Sequence, residues 1–320
     1  MPSRVFERLC GFMRDVLGVY VTLLKVLVPA LVVVKILDEL GATVWLGHIL
    51  APLMQLFDLP PELGIVWATT LLTNIFTGMV VFFEIAGDMP LTVAQISVFS
   101  ALLLIGHSLP VEGAVARRAG VPWWATLILR VGGALVFAGL LSAVYPLLGT
   151  GSRQAEVMWR PEPAASGLGD WLLGQFETLG MIFLIILALM ILLAVLRWLK
   201  FERLIHMALS PLLKTLGIGR AAANVTVIGT TLGLTYGAGL LIRDVDSGVM
   251  SRRDSVLVLC FLGLCHSVIE DTLLILLLGA DLWAVLWARL AFAILVIACL
   301  ARWPGHWLPV RRENPAVDSR

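Results

Sequence analysis

The stretch "MIFLIILALMILLAVL" at residues 181–196 carries no charge and no polar residue, and nothing in it alternates. A transmembrane strand alternates apolar and polar side chains, so this run excludes a β-barrel. A backbone in hydrocarbon must satisfy its own hydrogen bonds, which leaves a helix. Followed outward, the run extends over about 171–199, enough to cross ~30 Å of hydrocarbon. The whole chain has the same character. Of its 320 residues 59% are hydrophobic and 14% charged, with a mean hydropathy of +0.95. A soluble domain is about half apolar and about a quarter charged. The expected fold class is all-α: a polytopic transmembrane helical protein in a lipid bilayer.

Further apolar runs occupy roughly 17–38, 43–57, 61–86, 92–106, 121–149, 203–216, 219–242, 251–265, 267–279 and 281–303. Residues 150–169 are polar and rich in Pro, Ser and Gly, which marks a linker. The expected organisation is a basic amphipathic N-terminus (1–17), a first transmembrane repeat (18–149), the linker, a second transmembrane repeat (170–303) and a polar tail (304–320). The N-terminus has no short apolar core followed by a small-residue cleavage site, so no cleaved signal is expected. Net charge is +1, which gives no basis for a nucleic-acid partner. Cys10, Cys260, Cys265 and Cys299 form no CxxC pair and read as reduced packing residues. Cys260 and Cys265 with His266 have poor ligand spacing, so neither a metal nor a cofactor is assigned.

The two halves match at a spacing of 159 residues. At that offset His107 meets His266, Ser108 meets Ser267, Glu112 meets Asp271, Trp124 meets Trp283 and Arg130 meets Arg289. Pro52, Gly78 and Gly120 meet Pro211, Gly237 and Gly279, and the candidate N-caps Thr92 and Ser251 also correspond. His48 and His206 pair with one residue of slippage. Leu-on-Leu matches carry little information in such a composition; matches of His, Arg, Trp and Pro do.

Lys and Arg set membrane orientation. Arg4, Arg8 and Arg14 place the N-terminus in the cytoplasm, and Arg311 and Arg312 place the C-terminus there too. The turn at Arg117–Arg118 is basic, whereas 279–281 has no Lys or Arg; acidic "EIAGDMP" corresponds to "RDVDSGVMSRRD". The bias inverts between halves, as expected for inverted repeats, a common transporter architecture with a midplane site at discontinuous helices. Three and five crossings per repeat both remain open. The pieces 92–106 and 108–117 are ~23 Å and ~15 Å long, so they form either a re-entrant hairpin or one broken crossing.

The breaks carry "IGHSLPVEG" (105–113) and "LCHSVIEDT" (264–272). A broken helix exposes N–H and C=O groups, which survive in a membrane only when buried in protein or lining a wet cavity. His107, Ser108 and Glu112 supply the first break; His266, Ser267, Glu270 and Asp271 supply the second. Arg130 and Arg289 lie ~13 Å into their helices, where an unpaired cation is costly. Each needs a carboxylate or a wet cavity, with Glu112 and Asp271 or Glu270 the nearest partners in sequence. Asn74 is a further polar residue in "TTLLTNIFTG". These ten residues form the candidate substrate site. The same pairs also read as structural ties between helices, and the histidines as caps of the breaks.

Paired segments with "GHSLPVEGAVARRAGVP" after a short helix resemble the nucleoside-recognition, or Gate, domain family. That family includes spore maturation proteins A and B and the membrane part of the ferrous iron transporter B, and related repeats occur in concentrative nucleoside transporters. The resemblance covers about 18–148 and 170–302 and implies an inverted-repeat transport core with paired central hairpins. The chain has no GxxxxGK[ST] and hence no P-loop engine of its own. The expected function is movement of a small polar or anionic solute, nucleoside-like among the options, by alternating access with proton or ion coupling. The alternative is a membrane scaffold or partner subunit; a third reading is an intramembrane enzyme using His and Glu as acid and base. The commitment is to a non-enzyme without catalytic residues, multi-pass in a bacterial inner membrane. Self-association into a homo-oligomer is compatible with it.

Overall fold

The computed structural model describes residues 2–86, 89–158, 167–216 and 218–302. The chain is 81% helical, and among the described residues no strand forms. Among the described residues six helices are long and apolar enough to cross a membrane, which makes the protein all-α and multi-pass.

The first half runs α1 (Pro2–Glu39), α2 (Ala42–Gln55), α3 (Leu63–Leu72), α4 (Ile75–Ala86), α5 (Val93–Ile105), α6 (Leu109–Arg118) and α7 (Trp123–Leu127). A π-helical stretch, Ile128–Gly132, joins α7 to α8 (Gly133–Leu148). The second half runs α9 (Leu168–Trp198), α10 (Phe201–Thr215), α11 (Arg220–Leu232), α12 (Leu234–Asp246), α13 (Arg252–Leu264) and α14 (Val268–Leu276). A second π-helical stretch, Trp283–Ala288, leads into α15 (Arg289–Arg302). The order of elements repeats. So do left-handed backbone positions: Gly41 with Lys200, Ser108 with Ser267, and Gly120 with Gly279.

Local chemistry sets the ends. Thr92 caps α5 in a reciprocal capping box with Gln95, and Ser251 caps α13 by accepting from Asp254 N at 3.1 Å. Gly78 on α4 closes against α3: a Cβ there would overlap Thr70 Oγ1, whose hydroxyl is held by Val66 O. Gly237 plays the same part on α12, where a Cβ would lie 3.1 Å from Gly229 Cα on α11. Helices α3–α4 and α11–α12 therefore fold back on themselves as tight hairpins. Only small residues let two helices approach this closely.

The spans divide by burial. The most apolar stretches of α1 and α9 are each only 17% buried, with Val33, Ile36, Leu173 and Phe176 facing outward. Lipid is as apolar as these side chains, so they need no protein cover. The spans that contain the breaks, Val93–Arg118 and Arg252–Leu276, are 67% and 78% buried. Interrupted helices are tolerated at membrane depth only inside protein, and these two form the centre around which the others pack.

Residues 2–17 continue α1 without a break and lead directly into the first span. Part of the linker is docked: Ala155 N donates to Leu91 O and Met158 N to Leu277 O, so 151–158 bridges the start of α5 and the end of α14. The side chains of Arg4 and Arg8, residue Asp88, and the tail with Arg311 and Arg312 lie outside the described residues.

Candidate functional site

Each break begins with a carbonyl problem. When α5 stops at Ile105 and α13 at Leu264, the last carbonyls lose their helical donors. Most of the replacements come from the candidate residues. His107 Nδ1 faces Leu103 O at 3.0 Å, and His266 Nδ1 faces Leu262 O at 2.7 Å. Arg289 Nε donates to Leu264 O at 3.1 Å, while its Nη2 donates to His266 O at 3.1 Å and to Leu104 O, in the other half, at 3.3 Å. Arg130 Nη2 donates to His107 O at 2.7 Å. Trp67 Nε1 adds a second donor, at 3.1 Å, to Leu102 O, which still accepts from Gly106 N.

Both arginines are fully buried, and both sit at π-helical stretches, Arg130 within the first and Arg289 just after the second. A π-bulge shifts the following side chains around the helix and often marks a functional position. Arg130 Nη1 is paired with Glu112 Oε2. Arg289 Nη2 stands 3.9 Å from Asp271 Oδ2, a looser pair. Each guanidinium therefore has a carboxylate of its own half beside it. Arg130 Nε, Arg289 Nη1 and Asp271 Oδ2 are buried without a hydrogen-bond partner.

The serines occupy the turn itself. Ser108 and Ser267 adopt left-handed backbone, φ 49° and 45°, immediately before α6 and α14. Ser108 N donates to Thr70 O and Ser108 Oγ to Thr73 O at 2.7 Å, so the break is tied to the tip of the α3–α4 hairpin. Ser267 N donates to Gly229 O at 3.4 Å in the equivalent place.

The two breaks then meet. His107 Nε2 lies 3.0 Å from His266 Nε2. Glu112 Oε1 lies 3.5 Å from the first and 3.4 Å from the second. A carbonyl only accepts, so each Nδ1 carries a hydrogen, and a ring in its neutral form then turns the lone pair on Nε2 toward the other. Ligand atoms of His107, His266 and Asp271 lie within 4.8 Å of one another. A cavity of about 20 Å³, room for one water, opens beside Glu112 and Arg130 and is bounded by Thr126, Leu129, Cys260 and Gly263.

The structure thus brings together His107, His266, Glu112, Asp271, Arg130 and Arg289, with Ser108 and Ser267 behind them. Glu270 is half-buried on α14 next to Asp271. Asn74 spends its carbonyl oxygen on Thr77 N at 3.0 Å, capping α4 at the hairpin tip. His48 and His206 are exposed on α2 and α10, His206 against Asn224 and Ser210. Cys260 and Cys265 are buried and free. Sequence reasoning missed Trp67, whose position 159 residues on is Thr226, so the repeat gives no signal. It also missed Gly233, where a Cβ would come within 2.5 Å of Ser267 Oγ. Gly233 is the 159-residue counterpart of Asn74, and Asn and Gly are both turn residues.

No family model matches the chain, and no solved structure matches it. The uncharacterized membrane protein YvoD of Bacillus subtilis (strain 168) is 30% identical over 305 residues, which cover 92% of this chain and 95% of that protein. Identity at this level over almost the full length of both chains means that this protein belongs to the same membrane-protein family as YvoD.

Proposed function

We propose that the protein is an ion-coupled transporter of a bacterial inner membrane, built from two inverted Gate-type repeats and working by alternating access on a small polar solute. The observation that carries this reading is the contact of the two helix breaks through His107 and His266, with two buried arginine–carboxylate pairs around it. Intramembrane ionisable residues are expensive and mark ion or solute pathways.

Symmetry supports the inversion. A two-fold axis brings a residue against its own counterpart only where the axis passes. His107 touches His266, and Tyr20 OH donates to Leu179 O at 3.0 Å; both contacts join positions 159 apart. The exchange is reciprocal elsewhere too, α5 packing on the second π-helical stretch and α13 on the first. Three of the six candidate spans fall in each half. Hairpins α3–α4 and α11–α12 return to the side they start from, so each half crosses an odd number of times. The axis then lies in the membrane plane, and both termini face the cytoplasm.

The cavity beside Glu112 and Arg130 has room for about one water and does not by itself seat an organic solute. The arginines are balanced by Glu112 and Asp271, so a bound anion would find no surplus positive charge. These two points favour an ion at the His pair, with the solute entering once the halves separate. The test is flux in proteoliposomes of the purified protein, with protons, divalent cations and a panel of polar metabolites. Wild type should move at least one, and His107→Ala and His266→Ala should each abolish that movement while inserting normally. Wild-type vesicles no more permeable than empty ones overturn the reading, in favour of a scaffold.

A further inference from the structure

We infer that His107 Nε2, His266 Nε2 and Glu112 Oε1, with a carboxylate oxygen of Asp271 drawn in as fourth donor, bind one divalent first-row transition-metal ion of the Zn²⁺ type. This inference names the ligand of the central site and rests on the reading of that site as functional.

Three lone-pair atoms form a triangle with edges of 3.0, 3.4 and 3.5 Å. Tetrahedral bonds of about 2.0–2.1 Å put neighbouring ligand atoms about 3.3–3.4 Å apart. The triangle therefore has the size of one face of a zinc-like coordination shell. A proton shared between two imidazoles needs only two atoms in line. It does not account for a carboxylate oxygen placed almost equally far from both.

The outer shell fits as well. Metal-binding histidines nearly always donate their other ring N–H to a carbonyl or carboxylate, which fixes the tautomer. Here both do, to Leu103 O and Leu262 O, and both carbonyls belong to the last turn of a broken helix. Glu112 keeps Oε2 on Arg130 and turns Oε1 toward the rings. Asp271 Oδ2 is buried and lacks a hydrogen-bond partner, and Asp271 offers a carboxylate oxygen within 4.8 Å of a ring nitrogen of each histidine. A buried acceptor without a donor is rare, and a cation beside it supplies the missing interaction.

Two imidazoles and two carboxylates suit Zn²⁺, Co²⁺ or Fe²⁺ rather than the oxygen-only shells of Mg²⁺ and Ca²⁺. Arg130 and Arg289 oppose the added charge and hold the affinity down. A transported ion needs a site that it can also leave.

The test is Co²⁺ titration of the full-length protein in detergent, read by ligand-field absorption, followed by Zn²⁺ competition. Wild type should bind one Co²⁺ per chain with the intense visible bands of a low-symmetry four- or five-coordinate site, and Zn²⁺ should displace it. His107→Ala and His266→Ala should each weaken binding by more than the roughly 10–100-fold lost with an outer-shell partner. Glu112→Gln, which keeps shape and the oxygen, should weaken it less and shift the bands. If a histidine variant fails to fold, X-ray absorption of the wild-type Zn²⁺ complex decides, with two imidazoles per metal expected. Absence of stoichiometric binding by wild type, or undiminished binding in either folded histidine variant, overturns the inference. Binding in detergent without flux in vesicles overturns transport and leaves the metal site standing; proton or solute flux without metal binding does the reverse.

Discussion

Replacing Arg289 by Met keeps most of the side-chain volume and removes every donor. Three carbonyls then lose a partner at the centre of the molecule: Leu264 O, His266 O and Leu104 O. A buried acceptor left unsatisfied costs about 1–3 kcal/mol. Breaking a buried ion pair costs about 3–5 kcal/mol, and at 3.9 Å the pair with Asp271 belongs at or below the bottom of that range. The two effects share one guanidinium and do not add. The expected loss is roughly 4–6 kcal/mol, a fall in Tm of roughly 8–12 °C at about 2 °C per kcal/mol. The assay is thermal unfolding of the purified protein in mild detergent. Arg289→Lys separates charge from geometry. An ammonium is a point charge without the planar fork, so Lys should recover less than half of the loss. Arg289→Met with Asp271→Asn should regain a few degrees, because the stranded carboxylate is gone. An Arg289→Met protein melting within 2 °C of wild type would refute the claim that this side chain holds the breaks together.

Three further outcomes follow from the geometry. Gly78→Val and Gly237→Val should each destabilise by about 1–3 kcal/mol or more, because a rigid Cβ enters Thr70 or the Gly229 backbone; yield and Tm in detergent check this. Ser108→Gly should be near neutral in Tm, losing the bond to Thr73 O while relieving left-handed strain, whereas Ser108→Val should cost at least about 1–2 kcal/mol. Single cysteines at Arg117 and Asp281 should label from opposite membrane faces in intact cells; labelling from the same face would remove the inverted topology and the in-plane axis.

Much of the architecture was legible because rare residues recur at one spacing. His107 with His266 and Arg130 with Arg289 identified the broken spans, and Thr92 and Ser251 identified where those spans begin. Charge also offered Arg130 two outcomes, a carboxylate or a wet cavity, and the structure pairs it with Glu112 of its own half. Other features left no local trace. The Nε2–Nε2 contact joins positions 159 residues apart, and no helical or strand period reports on such a distance. Sequence reasoning offered the arginines a carboxylate or a wet cavity. The larger part of Arg289's bonding goes to carbonyls orphaned by the breaks, which are backbone groups that every residue carries. The π-helical stretches were equally hidden, since "ILRVG" and "WAVLWA" differ in composition while having the same backbone form.

The place where the halves differ is as informative as the places where they agree. On a two-fold axis the imidazoles start out equivalent, and any direction in the site must come from the residues around them. Glu112 and Asp271 occupy matching positions but differ by one methylene. The longer side chain engages Arg130 and still offers its second oxygen to both rings. The shorter one falls short of Arg289, at 3.9 Å, and keeps one oxygen unpartnered. The hydroxyl of Ser108 holds the hairpin tip at Thr73 O, next to Asn74, whose counterpart in the second half is Gly233, close to Ser267 Oγ. The first half is thus the better-tied wall of the site and the second half the looser one. On the proposed reading, a ligand at the histidine pair gains most from the half whose groups are still uncommitted, and its binding would bias the movement of one repeat against the other. On the proposed transport reading, the asymmetry that alternating access requires starts from the one-methylene difference between Glu112 and Asp271 rather than from the shared fold.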